Sequence, residues 1–515
     1  MKEACGVFGV YAPGKAVAQL TFDGLYALQH RGQESAGMAV SDREAVTVVR
    51  DMGLVTTVFD ERTVSCLPGD LAIGHTRYST TGASEWRNAQ PVYRAVGAAG
   101  FALGHNGNLT NTAALAERAG MLPGVVASDS DLVAELLALR YPAGSAWGAA
   151  RDSGAVAANG HQPVDGDLAG VAGVGEGGAL GEGSDEGVLE AALRDVLPLV
   201  EGAFSFVLLD AGHLFGVRDP AGLRPLCLGR LGPPDRPDGW VLASETPALD
   251  IVGATFVREL EPGELVVIDD SGVRSEQLFA PEQIDPHLCI FEFVYFARPD
   301  SRLYGREVHG ARRRMGELLA AQAPVDADLV MGVPESGVPA AEGFARASGI
   351  PHGQGLVKNR YIGRTFITPG QEARDAGVRR KLNPLRENIA GKRIVVVDDS
   401  IVRGTTQRAV ARMLREAGAL EVHLRISSPP LVWPCFYGID IPDRDDLIAA
   451  KSTVAEMESF LGVDSLAYLS LDNLVAAIDA PGAGFCAACL TGDYPVPVPV
   501  ALSGVGRAQP ATASA

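Results

Sequence analysis

Residues 393–406 read RIVVVDDSIVRGTT and constrain the fold more than any other stretch of the chain. Four apolar residues run directly into two carboxylates, and a short loop and a helical pattern follow. The β-rich runs DLVMGV and VHLRI lie on either side, and apolar residues recur at helical spacing before Gly418. Strands that alternate with helices predict βαβ units, and hence a parallel sheet in the second half.

The length of 515 residues exceeds what one hydrophobic core usually supports, about 250 to 300 residues, so two large domains are expected. Residues 141–188 are rich in Gly, Ala, Asp and Ser and poor in large apolar side chains. This composition predicts a flexible insertion inside the first domain. Residues 499–515 are expected to form a disordered tail.

The first segment, MKEACGVFGVY, places Cys5 just before a glycine and an apolar strand. Removal of residues 1–4 would make Cys5 the first residue and put a free α-amino group beside its thiol. That amine has an ordinary pKa of about 7.7 to 8.0, so it can accept the thiol proton and activate the nucleophile. Taken alone, however, Cys5 fits a buried strand residue better than a nucleophile.

Four downstream segments reverse that interpretation, namely ALQHRGQESAG, GHTRYSTTG, HNGN and SDSD. With Cys5 they resemble the N-terminal-nucleophile glutaminase domain of class II amidotransferases over residues 5–285, an αββα sandwich preceded by a removable leader, residues 1–4. The resemblance implies that Cys5 attacks the glutamine amide and that Asn106 and the Gly107 backbone amide stabilise the oxyanion. The residues expected to bind glutamine are Arg31, Gly32, Arg77 and Asp129.

Three of these segments also have an ordinary structural interpretation. Arg77 fits a surface salt bridge, Asp129 a helix cap and HNGN a turn. Their joint occurrence in this order favours the functional interpretation.

The string VVVDDSIVRGTT resembles the phosphoribosyl pyrophosphate loop of type I phosphoribosyltransferases, whose fold is a doubly wound parallel sheet, here over residues 286–498. The resemblance implies that Asp398 and Asp399 face the ribose hydroxyls and one Mg²⁺ per subunit. MGVPESGVPAA resembles the family's pyrophosphate loop, with Ser336 on the magnesium side, and KNRYIGRTF resembles its closing loop. The other residues expected to bind the sugar diphosphate are Ser400, Arg403, Gly404, Thr405, Thr406, Lys358, Arg360 and Arg364.

The two halves together resemble the amidophosphoribosyltransferase family, over residues 5–495. The resemblance implies glutamine and phosphoribosyl pyrophosphate as substrates, phosphoribosylamine as product at the start of purine synthesis, purine nucleotides as feedback inhibitors, and a homotetramer. Tyr295, in the joining segment CIFEFVYFARPDS, is expected to line a shielded passage, because free ammonia would be protonated and lost in water.

Four further cysteines match the ligands of the iron-sulfur branch of this family: Cys289, Cys435, Cys486 and Cys489. The match implies one structural [4Fe-4S] cluster per subunit. Their spacing alone leaves buried thiols or a zinc site equally open. Cys66 and Cys227 have no matching role.

Several other functions are disfavoured. A net charge of -19 argues against nucleic-acid binding, and no apolar run is long enough to span a bilayer. The amino terminus does not resemble a secretory signal, so a cytoplasmic enzyme without disulfides is expected. The GxGxxG at residues 173–178 lacks a flanking strand and helix, and GVYAPGK, residues 9–15, lacks the hydroxyl residue of a phosphate-binding loop.

Two competing functions remain at this stage. A glucosamine-phosphate synthase would share only the first half of the chain, and VVVDDSIVRGTT argues against it. A purine repressor that retains the phosphoribosyl fold would not need Cys5, Arg77 or HNGN, and the chain lacks a basic helix-turn-helix region.

Overall fold

The computed structural model describes residues 5–78, 84–97, 99–122, 124, 126–141, 187–359, 380–439, 441 and 443–498. The chain divides into two compact bodies. The first comprises the described residues between 5 and 286, together with Phe436–Ile439 and residues 495–498. The second comprises the described residues between 287 and 435 and between 441 and 494. The predicted leader, most of the predicted insertion, and the predicted tail lie outside the described residues.

The first body contains two antiparallel sheets. Its strands are β1 Gly6–Tyr11, β2 Ser35–Ser41, β3 Val46–Met52, β4 Leu71–Arg77, β5 Val92–Arg94, β6 Phe101–Leu109, β7 Gly202–Leu209, β8 Leu214–Arg218, β9 Cys227–Leu231, β10 Gly239–Ala243, β11 Thr255–Glu259, β12 Glu264–Asp269 and β13 Gly272–Gln277. The strand orders are β11-β9-β10-β1-β4-β2-β3 and β13-β12-β8-β7-β6-β5.

Helices cover the outer faces of both sheets. They are α1 Val17–Ala27, α2 Val55–Val58, α3 Glu61–Ser65, α4 Thr112–Arg118, α5 Asp129–Ala138, α6 Val188–Val196 and α7 Thr246–Ile251. Alternation along β1 shows the layering, because Val7 lies in the apolar cluster between the sheets whereas Phe8 packs with α1 on the outside. A further cluster joins the second sheet to α5 and α6. The layers are therefore αββα, as expected.

The second body contains a parallel sheet of order β17-β20-β21-β22. The strands of this body are β14 Leu288–Cys289, β15 Arg302–Leu303, β16 Arg306–Glu307, β17 Leu329–Gly332, β18 Leu356–Lys358, β19 Leu382–Pro384, β20 Arg393–Asp398, β21 Glu421–Ile426, β22 Ser465–Tyr468 and β23 Phe485–Cys486. Its helices are α8 Val308–Gln322, α9 Val338–Ser348, α10 Arg386–Ile389, α11 Thr405–Glu416, α12 Val454–Leu461, α13 Leu471–Ile478 and α14 Ala488–Thr491.

Packing on this sheet follows the apolar pattern of the sequence. Val396 of β20 lies in one cluster with Val410 and Leu414 of α11, as the helical spacing predicted. Helices α8 and α9 approach each other closely at glycine: a Cβ at Gly316 would lie 1.8 Å from the carbonyl oxygen of Ala340. The predicted parallel sheet is confirmed, and both loops with phosphate-site motifs follow its strands at their carboxyl ends.

No helix in the described ranges is long and apolar enough to cross a membrane.

Candidate active sites

Cys5 directly precedes β1 and is buried, with 7% of its surface exposed. Its Sγ lies 3.4 Å from the carbonyl oxygen of Tyr78, to which it donates, and 3.5 Å from the Tyr78 amide nitrogen. Burial raises the pKa of the Cys5 thiol, and the hydrogen bond with Tyr78 and the charge of Arg77 offset only part of this rise. A thiol in this environment needs a nearby base to become a nucleophile.

Arg31 and Gly32 both lie against the Cys5 region. Arg31 Nε donates to the Cys5 carbonyl oxygen at 2.9 Å, and its other end forms a buried ion pair with Glu245, to which His30 also bonds. Gly32 is required because a Cβ there would lie 2.5 Å from the Thr76 carbonyl group. The Arg31 side chain therefore contacts Cys5 itself. Glu245 was not predicted, since a single glutamate after a strand gives no sequence signal.

Asn106 and Gly107 lie on β6, opposite Ser205 and Phe204 of β7. Asn106 is fully buried, and neither its Nδ2 nor its Oδ1 has a hydrogen-bond partner among the described residues. Gly107 has a φ of 150°, and a Cβ there would lie 2.0 Å from the Ala203 carbonyl oxygen. A buried side-chain amide without a hydrogen-bond partner lowers protein stability by about 1–3 kcal/mol. The side chain of Asn106 is therefore a group that we expect to hydrogen-bond with a ligand.

Asp129 and Arg77 supply opposite charges in the same body. Burial alone would raise the pKa of Asp129, but nearby His105 and the amides of Ser130 and Leu109 outweigh it and hold the pKa below its usual value. Asp129 therefore stays ionised. Arg77 ends β4, is 4% exposed at its side chain, and lies 3.7 Å from the carboxylate of Glu34.

In the second body, Asp398 ends the central strand β20, and Asp399 follows it. Both are buried, and the Asp399 amide donates to Asp398 Oδ1 at 3.0 Å. Gln407 Nε2 donates to Asp398 Oδ2 at 2.9 Å, and the Ser400 hydroxyl donates to Asp399. Burial, and then the charge of Asp399, raise the pKa of Asp398 well above its usual value. Two adjacent buried carboxylates suit a bound cation.

The loop after this pair leads into α11. Gly404 has a φ of 72°, which favours glycine, and Thr405 and Thr406 form the first turn of the helix. The N-terminus of such a helix suits a phosphate group. Arg403, which was predicted to bind the sugar diphosphate, donates to the carboxylate of Asp446. Asp446 and Gln407 are site neighbours that the sequence did not indicate.

The loop that carries Ser336 packs against the end of β20. The Val333 amide donates to the Val397 carbonyl oxygen at 2.8 Å, and a Cβ at Gly337 would lie 2.4 Å from that same oxygen. Ser336 is half-buried on this loop. Lys358 Nζ, at the end of β18, lies 3.5 Å from the Glu335 carboxylate. Arg360 and Arg364 lie outside the described residues.

Tyr295 lies in the irregular helical turn Glu292–Phe296 and is half-buried, edge-on to Phe296 at a centroid distance of 5.5 Å.

The four predicted cluster cysteines converge within the second body. Cys289 and Cys486 are register partners in the parallel pair β14–β23. The Cys489 carbonyl oxygen accepts from Val432 and Trp433 at 3.1 Å, just before Cys435. Burial, followed by the charges of the other three cysteines, raises the pKa of Cys489 well above its usual value. None of the chain's seven cysteines, all within the described ranges, forms a disulfide.

Across the described residues, no group of three or more His, Cys, Asp or Glu side chains is arranged to hold a single metal ion. A tetrahedral zinc site needs each sulfur about 2.3 Å from one ion. A [4Fe-4S] cluster instead binds each thiolate to a separate iron, so its ligands lie farther apart.

Of the two weak motif matches, GVYAPGK lies within the described residues and forms no phosphate-binding loop there. Gly9 lies inside β1, so GVYAPGK is a strand followed by a turn, and residues 173–178 lie outside the described part of the chain.

Comparison with known proteins agrees with both sites. Residues 307–427 match the phosphoribosyl transferase domain family. The amidophosphoribosyltransferase of Mycobacterium tuberculosis is 53% identical over 97% of this chain and 87% of its own length, and that of Bacillus subtilis is 41% identical over 97% and 95%.

Solved structures give the same result. One is described as the allosteric regulatory enzyme of purine biosynthesis, and another as the glutamine phosphoribosylpyrophosphate amidotransferase of Bacillus subtilis complexed with ADP and GMP. Each is 40% identical with a TM-score of 0.80; they cover 96% of this chain and 97% and 98% of their own chains. Because the likeness spans both halves, a synthase that shares only the first half is excluded. The chain belongs to the amidophosphoribosyltransferase family, which transfers glutamine nitrogen to phosphoribosyl pyrophosphate as a committed step of purine synthesis.

Proposed function

We propose that this enzyme generates ammonia at Cys5 by the N-terminal-nucleophile mechanism, after residues 1–4 are removed. The α-amine accepts the thiol proton, and the thiolate attacks the glutamine side-chain carbonyl carbon. Asn106 Nδ2 and the Gly107 amide stabilise the resulting oxyanion. Release of ammonia then gives a thioester, which water hydrolyses to glutamate. The observation that carries this proposal is the buried, unpartnered amide of Asn106 in the body that contains the buried Cys5 thiol.

Glutamine recognition is assigned to Arg77 and Asp129. The Arg77 guanidinium suits the substrate α-carboxylate, and Asp129, which stays ionised, suits its α-ammonium group. Arg31 and Gly32, which were also predicted to bind glutamine, are assigned to the same site: Arg31 Nε donates to the Cys5 carbonyl oxygen, and Gly32 keeps its loop close to Thr76.

The sugar diphosphate is assigned to the loops at the carboxyl end of the parallel sheet. Asp398 and Asp399 face the ribose hydroxyls, and with Ser336 they would hold one Mg²⁺, which supplies charge neutralisation for the diphosphate. Ser400, Gly404, Thr405 and Thr406 offer amides and hydroxyls to the 5-phosphate, and Lys358 offers charge to the pyrophosphate. Ammonia then forms a bond to the anomeric carbon as the bond to pyrophosphate breaks. The roles expected of Arg360, Arg364 and Arg403 stay predictions.

Cys289, Cys435, Cys486 and Cys489 are proposed to bind one [4Fe-4S] cluster, whose contribution is to hold their segments together. The supporting observation is that burial, and then the nearby charges of the other three cysteines, raise the pKa of Cys489.

The remaining parts of the proposal rest on family likeness. They are a glutaminase domain over residues 5–285, a phosphoribosyltransferase domain over 286–498, a passage for ammonia lined by Tyr295, a homotetramer, a cytoplasmic location, and feedback inhibition by purine nucleotides. The last is supported by the Bacillus subtilis enzyme solved with ADP and GMP.

The test of the nucleophile is Cys5→Ala, with pyrophosphate and glutamate measured together. Synthesis from glutamine should be lost, whereas synthesis from ammonium chloride should persist, because only the source of nitrogen is removed. Intact mass should show that the wild-type protein begins at Cys5. Normal use of glutamine by the Cys5→Ala variant would overturn the assignment.

A further inference from the structure

A short segment from late in the chain lies against the proposed oxyanion site. Phe436–Ile439 belongs to the same compact body as the antiparallel sheets, although the residues on both sides of it belong to the second body. Asn108, the last residue of HNGN, donates from Nδ2 to the Phe436 carbonyl oxygen at 2.8 Å. Gly438 has a φ of 102°, and a Cβ there would lie 3.0 Å from the carbonyl carbon of Gly107.

A buried arginine fixes the same segment. Arg224 is 1% exposed and donates to the Tyr437 carbonyl oxygen from Nε at 3.2 Å and from a second nitrogen at 2.8 Å. The Arg224 carbonyl oxygen in turn accepts from the Ser205 hydroxyl at 3.0 Å, and Ser205 is the register partner of Asn106. A buried guanidinium is costly unless it is well bonded, so its use on this backbone indicates that the position of the segment matters.

We infer that Phe436–Ile439 is a positioning element for glutamine hydrolysis: Gly438 lies against the Gly107 carbonyl group and Phe436 is bonded to Asn108, and these contacts fix the backbone that carries the Gly107 amide. This inference rests on the proposed role of Gly107 as an oxyanion donor. Neither Asn108 nor Gly438 contacts substrate in this scheme; both act through the peptide beside them.

The experiment compares Gly438→Ala with Gly253→Ala in the mature, metal-loaded enzyme. Both glycines have positive φ, but a Cβ at Gly253 (φ 71°) meets nothing within 4 Å, so this control places an alanine at a positive-φ position without the contact. Gly438→Ala should lower kcat for glutamine about tenfold, which is less than the loss of a whole oxyanion donor, with KM for glutamine little changed. Gly253→Ala should retain wild-type kcat. Ammonia-dependent synthesis should be equal in all three proteins.

Two further measurements distinguish a specific effect on the oxyanion site from a general structural defect in the Gly438→Ala variant. Alkylation of Cys5 by iodoacetamide, followed by intact mass, needs no oxyanion stabilisation and should proceed at the wild-type rate in Gly438→Ala. Asn108→Ala, which adds no atoms, should lower kcat for glutamine in the same direction. Wild-type kcat in both variants, or an equal loss of ammonia-dependent synthesis, overturns the inference. If Cys5→Ala still uses glutamine, the proposed function fails instead.

Discussion

Arg31 holds Cys5 by its backbone, because the guanidinium Nε donates to the Cys5 carbonyl oxygen at 2.9 Å. Nη1 of the same guanidinium forms an ion pair with the Glu245 carboxylate, and both side chains are fully buried. Removing the charge of one partner leaves the other buried and uncompensated. The position of the nucleophile therefore depends on a carboxylate more than two hundred residues away in the chain.

Glu245→Gln should consequently impair glutamine hydrolysis. We expect kcat for glutamine to fall about tenfold, or about 1.4 kcal/mol of barrier, while ammonia-dependent synthesis is retained. The matched control is Glu85→Gln, whose partner Arg87 forms an exposed ion pair, and it should have no effect. Unchanged glutamine turnover in Glu245→Gln would show that Arg31 is held without this charge.

The pH dependence of glutamine hydrolysis should report the activation of Cys5. Burial raises the pKa of the thiol, so little thiolate exists near neutral pH without a base. The α-amine accepts a proton only when it is itself unprotonated, so kcat/KM for glutamine should rise with pH through about 7.7 to 8.0. A steady-state profile of the processed enzyme measures this rise. A profile that is flat between about pH 6 and 9 would contradict activation by the terminal amine.

Much of both sites could be predicted because local motifs carry the chemistry. Asp398 ends a strand and Asp399 follows it, as the apolar run before them indicated, whereas Asn106 and Gly107 lie on a strand that the HNGN motif did not predict. Glu245, Gln407 and Asp446 were missed because each reaches its site only through tertiary packing. Asn108 was within a recognised motif, yet its partner Phe436 lies 328 residues away, and no local pattern encodes such a contact.

Asp398→Asn and Asp399→Asn should each abolish synthesis from both nitrogen sources. The amide cannot supply the negative charge that a cation and the ribose hydroxyls require, so we expect a loss of about a hundredfold or more. Pyrophosphate release with ammonium chloride is the measurement. Asp326→Asn is the control, because Asp326 is 87% exposed and pairs with Arg393. Normal ammonia-dependent turnover in both aspartate variants would exclude the pair from the sugar site.

Asp446→Asn should release Arg403 toward the phosphate loop. The two side chains form a partly exposed ion pair, and such pairs are worth about 0.2–1 kcal/mol, so KM for phosphoribosyl pyrophosphate should fall by up to about fivefold. Asp445→Asn is the neighbouring control, since Asp445 pairs with Lys451 at 2.9 Å. A raised KM in Asp446→Asn would instead mean that the pair holds Arg403 in its binding position.

Replacement of a proposed cluster ligand should change metal content and stability together. Anaerobically purified wild-type protein should contain about four irons per chain, and Cys435→Ser should lose most of them. Because Cys289 and Cys486 lie on the two-residue strands β14 and β23, and Cys489 lies on the four-residue helix α14, loss of the cluster should also lower the melting temperature. Cys66→Ser is the matched control, since Cys66 is exposed. Stoichiometric zinc in a colourless, fully active wild-type protein would reject the cluster, and an unchanged iron content in Cys435→Ser would remove Cys435 from the ligand set.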